Sequence, residues 1–200
     1  MTITELSSGV HCCFLFSREA DQGTVVASFL EKGLKAKEKI LYAIDSREHL
    51  QFRKWLREHY EVDLQPGLMD GQVAFIHSED LYCPERRFDP ERAADFLRRA
   101  LEVALKQGYT GLRMASEMTW ALRGLPGTER LPEYEAGLKP LFQTGKLTAL
   151  CQYDQRCFPA DLLTRVTASH PATVLGTEVR ESFGYLKDPS RPSSPIGRPA

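Results

Sequence analysis

Two short segments of the chain carry most of the side chains that can do chemistry. The first, HCCFLF at 11–16, places His11 and Cys13 on one face of an extended strand, because side chains alternate along a strand. The second, CQYDQRCFPADLL at 151–163, leads from a strand through an acidic turn into a helix opened by Pro159. Polar and aromatic groups are thereby delivered to the open end of a sheet, where α/β proteins bind ligands.

The thiol and imidazole groups raise the hypothesis of a metal site. If the strand that carries Cys151 lies beside HCCFLF, then His11, Cys13 and Cys151 offer ligand types that suit zinc. No close CxxC pair supports this set, and free cysteines are commonly buried in cores, so we predict neither a metal nor a cofactor. A nucleophilic Cys151 is also disfavoured, because His170 ends the following helix, roughly 15 Å away at about 1.5 Å per residue.

The turn SREADQGT at 17–24 follows the first predicted strand, where a nucleotide-binding α/β protein holds phosphate. A phosphate loop needs two glycines, a lysine and a Ser or Thr, so that backbone amides and the lysine face the phosphate oxygens. Only Gly23 and Thr24 remain here, and Glu19 and Asp21 repel phosphate. The sequence therefore disfavours ATP hydrolysis by the usual route.

Alternating strands and helices position these residues along the whole chain. The clearest helix begins at Pro90, with Asp89 as its N-cap. Such alternation predicts a three-layer α/β fold, a mostly parallel sheet flanked by helices with right-handed crossovers. The predicted strands are 11–16, 39–44, 72–77, 111–115, 147–153 and 172–176, and the predicted helices run from 24 to near Gly33, from 47 to 60, from Asp89 to near Gly108, from 132 to 143 and from 159 to 169.

Composition limits the class of protein. A length of 200 residues suits one domain. The near balance between 26 Lys and Arg and 27 Asp and Glu disfavours direct nucleic-acid binding. The sequence lacks a signal peptide pattern and any run of about 18 apolar residues, and its five cysteines lack regular spacing, so we expect a cytoplasmic protein with reduced thiols and no membrane contact. We expect an N-terminal extension at 1–8, the folded domain at 9–187, and a Pro- and Ser-rich disordered tail or linker at 188–200.

Arg113 lies inside a short predicted strand, where an unpaired charge is costly to bury. We expect it to meet a carboxylate such as Glu117, Glu135 or Asp154, or else a ligand anion. If SEMTWAL is helical, Glu117 and Trp120 share one face and line a mostly apolar pocket with one polar anchor.

Several unusual segments make the chain resemble the MEDS domain, the methanogen/methylotroph, DcmR-type sensory domain. They are HCCFLF, FDPERAADFL, LRMASEMTWAL, LPEYEAGLKPLF, LCQYDQRCFPADLL and SHPATVLG, which occur in order over about residues 9 to 176. The resemblance implies a RecA- or KaiC-like fold without a functional Walker A loop. Phe16 departs from it, since the family often has tyrosine there. The family's motif positions are His11, Cys13, Arg113, Glu117, Trp120, Glu135, Cys151, Tyr153, Asp154 and His170.

The resemblance implies a non-enzymatic sensory domain that binds a small, hydrocarbon-derived ligand at the carboxyl ends of the sheet. It also implies a regulatory protein partner in trans, of the histidine-kinase, DNA-binding or anti-sigma type. Two alternatives stay open, a residual RecA-like nucleotide-binding ATPase and a ligand-free protein-interaction module, and the sequence leaves homodimerisation undecided. We expect polar ligand contacts from His11, Arg113, Glu117 and Tyr153, and apolar contacts from Trp120 and Phe16.

Overall fold

The central strands are buried on both faces, as a parallel sheet covered by helices requires. The computed structural model describes residues 2–45 and 47–182. The strands are β1 (His11–Phe16), β2 (Lys39–Ile44), β3 (Val73–His77), β4 (Leu112–Glu117), β5 (Leu147–Asp154), β6 (Ala172–Leu175) and β7 (Glu178–Glu181). They form one sheet in the order β3-β2-β4-β5-β1-β6-β7, in which β7 alone is antiparallel to its neighbour.

Helices cover both faces of this sheet. None of the helices within the described ranges is long and apolar enough to cross a membrane. The helices are α1 (Glu19–Lys35), α2 (His49–Tyr60), α3 (Gln65–Met69), α4 (Ser78–Tyr82), α5 (Pro90–Lys106), α6 (Leu131–Gly137), α7 (Lys139–Phe142) and α8 (Ala160–Ser169), with 3₁₀ turns at Ile3–Glu5, Thr119–Arg123 and Thr128–Arg130.

The apolar core has two halves, one on each face of the sheet. Cys12 and Phe14 of β1 belong to the half that packs against α1 and α2. Cys13, between them in sequence, belongs to the half that packs against α5, α6 and α8. The alternation predicted for HCCFLF is thus confirmed, and it decides which predicted site residues can meet.

The predicted strands are all present, and the three-layer, mostly parallel α/β fold is confirmed. The predicted cap is also present, since the Asp89 side chain accepts a hydrogen bond from the backbone N–H of Arg92 at 3.1 Å, and Pro90 opens α5. Local propensity and tertiary packing agree at this helix.

The structure differs from the sequence prediction where polar or helix-breaking residues intervene. The helix predicted at 132–143 is two helices, α6 and α7, because Gly137 is a weak helix former and Pro140 cannot donate a backbone hydrogen bond. The antiparallel β7 was not predicted, since three of its four residues are exposed and charged. SEMTWAL is not one helix: Glu117 ends β4, and a 3₁₀ turn begins at Thr119.

The predicted N-terminal extension packs onto the domain. Ile3 and Leu6 are buried, and Thr2 forms an antiparallel bridge with Glu178. The backbone N–H of Ile3 also donates to the carbonyl of Thr177 at 3.2 Å. The tail predicted at 188–200 lies outside the described residues.

Candidate functional site

The predicted site residues fall into two places rather than one. β1 and β5 are neighbours, with Cys13 opposite Cys151 and Phe16 opposite Asp154. Cys13, Cys151 and Tyr153 face the half of the core under α6 and α8. Phe16 and Asp154 lie at the carboxyl ends of their strands. The result is an open cleft at the sheet edge and a separate buried cluster beneath α6 and α8.

The open cleft lies where β1, β4 and β5 end, at the edge where parallel α/β sheets bind ligands. It is open to solvent and has a cavity volume of about 170 Å³. Among the predicted site residues, Phe16, Glu117 and Asp154 line it. Its other lining residues are Glu19, Gln22, Arg47, Thr119, Gln152 and Arg156.

Ion pairs flank the cleft on two sides. Arg156 holds Asp154 with two nitrogens, at 2.6 Å from Nη2 to Oδ2 and 2.8 Å from Nε to Oδ1. Hydrogen bonds from Arg156 hold the pKa of Asp154 below its usual value. On the other side, Nη2 of Arg47 lies 2.9 Å from Oε1 of Glu19. Each arginine of the lining faces a carboxylate, and Glu117 adds a third carboxylate, so three acidic groups face two basic ones.

The floor of the cleft is a fixed polar surface. The Glu117 carboxylate accepts hydrogen bonds from the backbone N–H of Asp45 at 2.8 Å and from the Tyr42 hydroxyl at 3.2 Å. Beside it, Nε2 of Gln22 donates to Oε1 of Gln152 at 3.1 Å. These buried bonds hold the polar groups in place before any ligand arrives.

Sequence reasoning missed six lining residues, among them Gln22, Gln152, Arg47 and Arg156. The two glutamines had a signal, since Gln152 is polar within a buried strand and Gln22 stands in the first turn of the helix after β1. The two arginines stand in loops, where no periodic pattern fixes a direction.

The buried cluster consists of His11 on β1, Glu135 on α6, Cys151 on β5 and His170 just after α8. Oε2 of Glu135 lies 3.2 Å from Nε2 of His11 and 3.5 Å from Nε2 of His170. Sγ of Cys151 lies 3.4 Å from Nε2 of His11 and 3.8 Å from Oε2 of Glu135. All four donor atoms lie within 4.8 Å of one another.

Burial governs protonation in this cluster, because a charged form loses its hydration in the interior. Burial lowers the pKa of His11 to about 3 and that of His170 to about 4. It raises the pKa of Glu135, and it raises the pKa of Cys151 well above the ordinary thiol value. Each shift favours the uncharged form, so Cys151 is a thiol here and not an activated nucleophile.

Neighbouring groups fix the cluster in position. Nδ1 of His170 donates to the Val166 carbonyl at 2.7 Å, and Tyr153 donates its hydroxyl hydrogen to Oε1 of Glu135 at 2.6 Å. The ring of Phe142 stacks on His11, with centroids 4.4 Å apart. These contacts leave the cluster atoms little freedom to turn away from one another.

The predicted separation of about 15 Å between Cys151 and His170 is wrong, since their donor atoms lie within 4.8 Å. That estimate counted only the rise along the helix. In the structure α8 runs back along β5, so its end returns to the middle of the strand. The His/Cys/Cys set is corrected as well, because Cys13 is outside the cluster and its Sγ lies 3.9 Å from Oγ1 of Thr167.

Arg113 lies away from both places. It faces α1 near the start of β4, where its Nε forms a buried ion pair with Oε2 of Glu38. Its guanidinium also lies 4.6 Å from the centroid of the Phe29 ring. The predicted partners Glu117, Glu135 and Asp154 are wrong, because the pair forms at the opposite end of the strand from the cleft.

Trp120 is a core residue and does not line the cleft. Its side chain is fully buried and stacks on Tyr82, with ring centroids 4.4 Å apart, while Phe88 packs at 4.8 Å. Glu117 ends β4 on the cleft side, so the shared helical face predicted for these two residues is absent. The 3₁₀ turn at Thr119–Arg123 places Trp120 in the half of the core that packs against α5, α6 and α8.

Comparison with known proteins identifies the family of the chain and proteins that share its fold. The family model MEDS, described as "MEthanogen/methylotroph, DcmR Sensory domain", matches residues 10–171. A comparison with curated proteins gave no match.

Two solved structures share the fold. The flagellar accessory protein FlaH from Methanocaldococcus jannaschii has a TM-score of 0.60 and 14% identity, covering 87% of this chain and 76% of that chain. The KaiC-like protein PH0186 from Pyrococcus horikoshii OT3 has a TM-score of 0.59 and 13% identity, covering 83% of this chain and 70% of that chain. At these identities the likeness shows the fold alone, which is RecA/KaiC-like, as predicted.

Proposed function

Because the chain belongs to the MEDS family of sensory domains, we propose that it senses a small organic molecule that binds in the cleft at the carboxyl ends of β1, β4 and β5. The observation that carries this proposal is the cleft itself. It lies at the sheet edge where parallel α/β proteins bind ligands, and its cavity volume of about 170 Å³ has room only for a small molecule. Its polar floor is already fixed by hydrogen bonds within the protein, which lowers the cost of ordering a ligand.

The lining of the cleft favours a neutral or cationic ligand over an anionic one. Arg47 and Arg156 are each paired with a carboxylate, so an anion must compete with an existing ion pair, and the three lining carboxylates outnumber the two arginines. Phe16 offers an apolar surface, while the amides of Gln22 and Gln152 offer a donor and an acceptor. A short hydrocarbon derivative with one hydroxyl, amine or halogen matches this combination.

Several contacts argue against a nucleotide in the same cleft. α1 begins at Glu19, three residues after β1 ends, and the residue that follows Gly23 is Thr24 and not the lysine that a phosphate loop needs. Gly23, the remaining glycine, lies so close to the ring of Tyr60 that any side chain there overlaps it. Packing between α1 and α2 therefore explains this glycine without a phosphate. We infer a non-enzymatic role for the same reason.

The proposed signal depends on two segments of the chain that meet at the cleft. Arg47 belongs to the segment before α2, and Arg156 belongs to the turn between β5 and α8. A ligand that contacts both can change the relative position of these segments. The shift can be no larger than the difference in ligand affinity between the two conformations. We propose that a cytoplasmic regulatory protein, of the histidine-kinase, DNA-binding or anti-sigma type, binds one of them.

Nuclear magnetic resonance of the isotope-labelled full chain tests this proposal. Short alkyl alcohols, amines and halides are titrated one at a time. At least one compound should give saturable shifts centred on Thr119 and Gln152, and the variant Gln22→Met should weaken them. The matched control is Gln72→Met, which removes a half-buried amide bonded to the Leu34 and Glu38 carbonyls away from the cleft.

Two results would contradict the proposed function. One is saturable binding outside the cleft, for example at the separate pocket lined by Ile44, Phe75 and His77. The other is the absence of any saturable shift across all compounds, which would favour a ligand-free interaction module.

A further inference from the structure

The buried cluster of His11, Glu135, Cys151 and His170 is separate from the cleft, and the proposed function does not use it. We propose that these four side chains bind one divalent zinc ion in a closed, four-coordinate site. This inference does not depend on the identity of the cleft ligand. Its support comes from geometry, from an unpartnered nitrogen, from charge balance and from the surrounding contacts.

The spacing of the donor atoms fits a tetrahedron around zinc. Zinc bonds of about 2.0–2.3 Å give a tetrahedron whose edges are about 3.3–3.7 Å long. Measured from Oε2 of Glu135, the edges to the two imidazole nitrogens are 3.2 and 3.5 Å, and the edge to Sγ of Cys151 is 3.8 Å. The edge between Cys151 and His11 is 3.4 Å. The other two edges, from His170 to His11 and to Cys151, are at most 4.8 Å long, so movement of His170 toward these two residues would complete the coordination.

One nitrogen in the cluster is placed to bind a cation. Nδ1 of His170 lies 2.7 Å from the Val166 carbonyl, which can only accept, so Nδ1 carries the proton and Nε2 carries a lone pair. That Nε2 is buried and has no hydrogen-bond partner among the described residues. It faces Oε2 of Glu135 at 3.5 Å, and an ion between these two acceptors would satisfy both.

The ligand set balances the charge of a divalent ion. A glutamate and a thiolate contribute two negative charges, two neutral imidazoles contribute none, and the assembled site is neutral. Neutrality matters here, because the side chains of His11 and Glu135 are 3% and 0% exposed, and uncompensated charge is very costly at such sites. Imidazole, thiolate and carboxylate together suit zinc, whereas magnesium and calcium prefer oxygen ligands.

Outer contacts already hold three of the ligands, as is usual at metal sites. Tyr153 orients the Glu135 carboxylate, the Val166 carbonyl orients His170, and the ring of Phe142 covers His11. None of these contacts comes from a residue that lines the cleft.

Refolding the full chain with metal tests the site, because a closed buried site fills most readily during folding. The purified protein is unfolded with chelator and refolded with zinc or with cobalt(II). We expect one metal per chain by mass spectrometry under native conditions. With cobalt we expect tetrahedral d–d bands and a thiolate-to-cobalt charge-transfer band. Cys151→Ser should abolish the charge-transfer band, and His170→Gln should lower zinc affinity by at least about 100-fold, the upper end of the effect known for outer contacts.

The matched control is Cys157→Ser, which removes an exposed thiol outside the cluster and should leave stoichiometry and spectrum unchanged. Circular dichroism shows which variants are folded. If the cluster variants fail to fold, the wild-type cobalt spectrum decides alone, since a spectrum without thiolate charge transfer overturns the proposal. A refolded wild type without stoichiometric zinc, or unchanged affinity in folded Cys151→Ser, also overturns it. The cluster would then be a metal-free hydrogen-bond network.

Discussion

Tyr153 and Glu135 are joined by a hydrogen bond of 2.6 Å, in which the hydroxyl donates to Oε1. The other carboxylate oxygen, Oε2, faces both histidines of the buried cluster. Tyr153 therefore orients the Glu135 carboxylate, which both His11 and His170 contact. Because the two residues lie on β5 and α6, the bond also fixes the helix against the sheet.

Tyr153→Phe removes this bond without removing a proposed zinc ligand. We expect the variant to fold and to bind zinc about 10- to 100-fold more weakly, because the carboxylate loses its orienting partner. Competition with a chromophoric chelator measures the affinity. Tyr109→Phe, which changes a half-buried tyrosine outside the cluster, should bind zinc like the wild type. Equal affinity in all three proteins would mean that Tyr153 has no orienting role.

The ion pair between Arg113 and Glu38 predicts strong coupling in stability. Both side chains are buried, so removing one partner leaves an uncompensated charge. Glu38→Ala should lower the free energy of unfolding by about 3–5 kcal/mol. The double variant with Arg113→Ala should lose less than the sum of the single variants. Urea unfolding of all four proteins measures the cycle, and additive losses would contradict the coupling.

Trp120→Ala should act on stability and not directly on the cleft. The indole is fully buried against Tyr82 and Phe88, so truncation leaves a cavity and should lower the free energy of unfolding by about 3–5 kcal/mol. Trp120→Phe should lose less, since it keeps an aromatic ring. Thermal and urea unfolding measure both variants. A stable Trp120→Ala protein that had lost ligand binding would instead place this residue in the ligand site.

The Asp154 carboxylate should contribute stability that depends on pH. Hydrogen bonds from Arg156 hold its pKa below the ordinary value of 3.8. The contribution is therefore complete above the unfolded-state pKa and is lost as pH falls through the folded-state pKa. Wild type should be more stable than Asp154→Asn at pH 7, and the difference should shrink in acid. Urea unfolding along a pH series measures it, and a constant difference would show that the charge is not responsible.

The fold could be predicted because it depends on local patterns. The apolar runs that became β1 and β2 have no polar residue on either face to suggest another structure, apart from the terminal His11 and Lys39. Asp89 and Pro90 mark a helix start by hydrogen-bonding chemistry that needs no tertiary context. β7 was not predicted, because an exposed edge strand does not need alternating apolar residues.

The site could be predicted only in part, since its residues meet through tertiary structure. Strand alternation correctly placed His11 and Cys13 on one face, whereas alternation alone does not predict that the strand with Cys151 lies beside them. Nothing local indicates that α8 runs back to bring His170 beside them. Arg113 was misplaced for a related reason, because position along a strand decides whether a side chain reaches the cleft or the opposite end.

The pairing of the N-terminal segment with β7 has a topological consequence. Thr2 bridges Glu178, and Ile3 bonds to Thr177, so the two ends of the described fold are neighbours in space. A short flexible peptide can join them into a ring without breaking a strand pair, and new ends can open in the exposed turn at Gly124. We therefore expect the architecture to tolerate circular permutation. The contacts between the helices and strands, and not the order of these elements along the chain, define this fold.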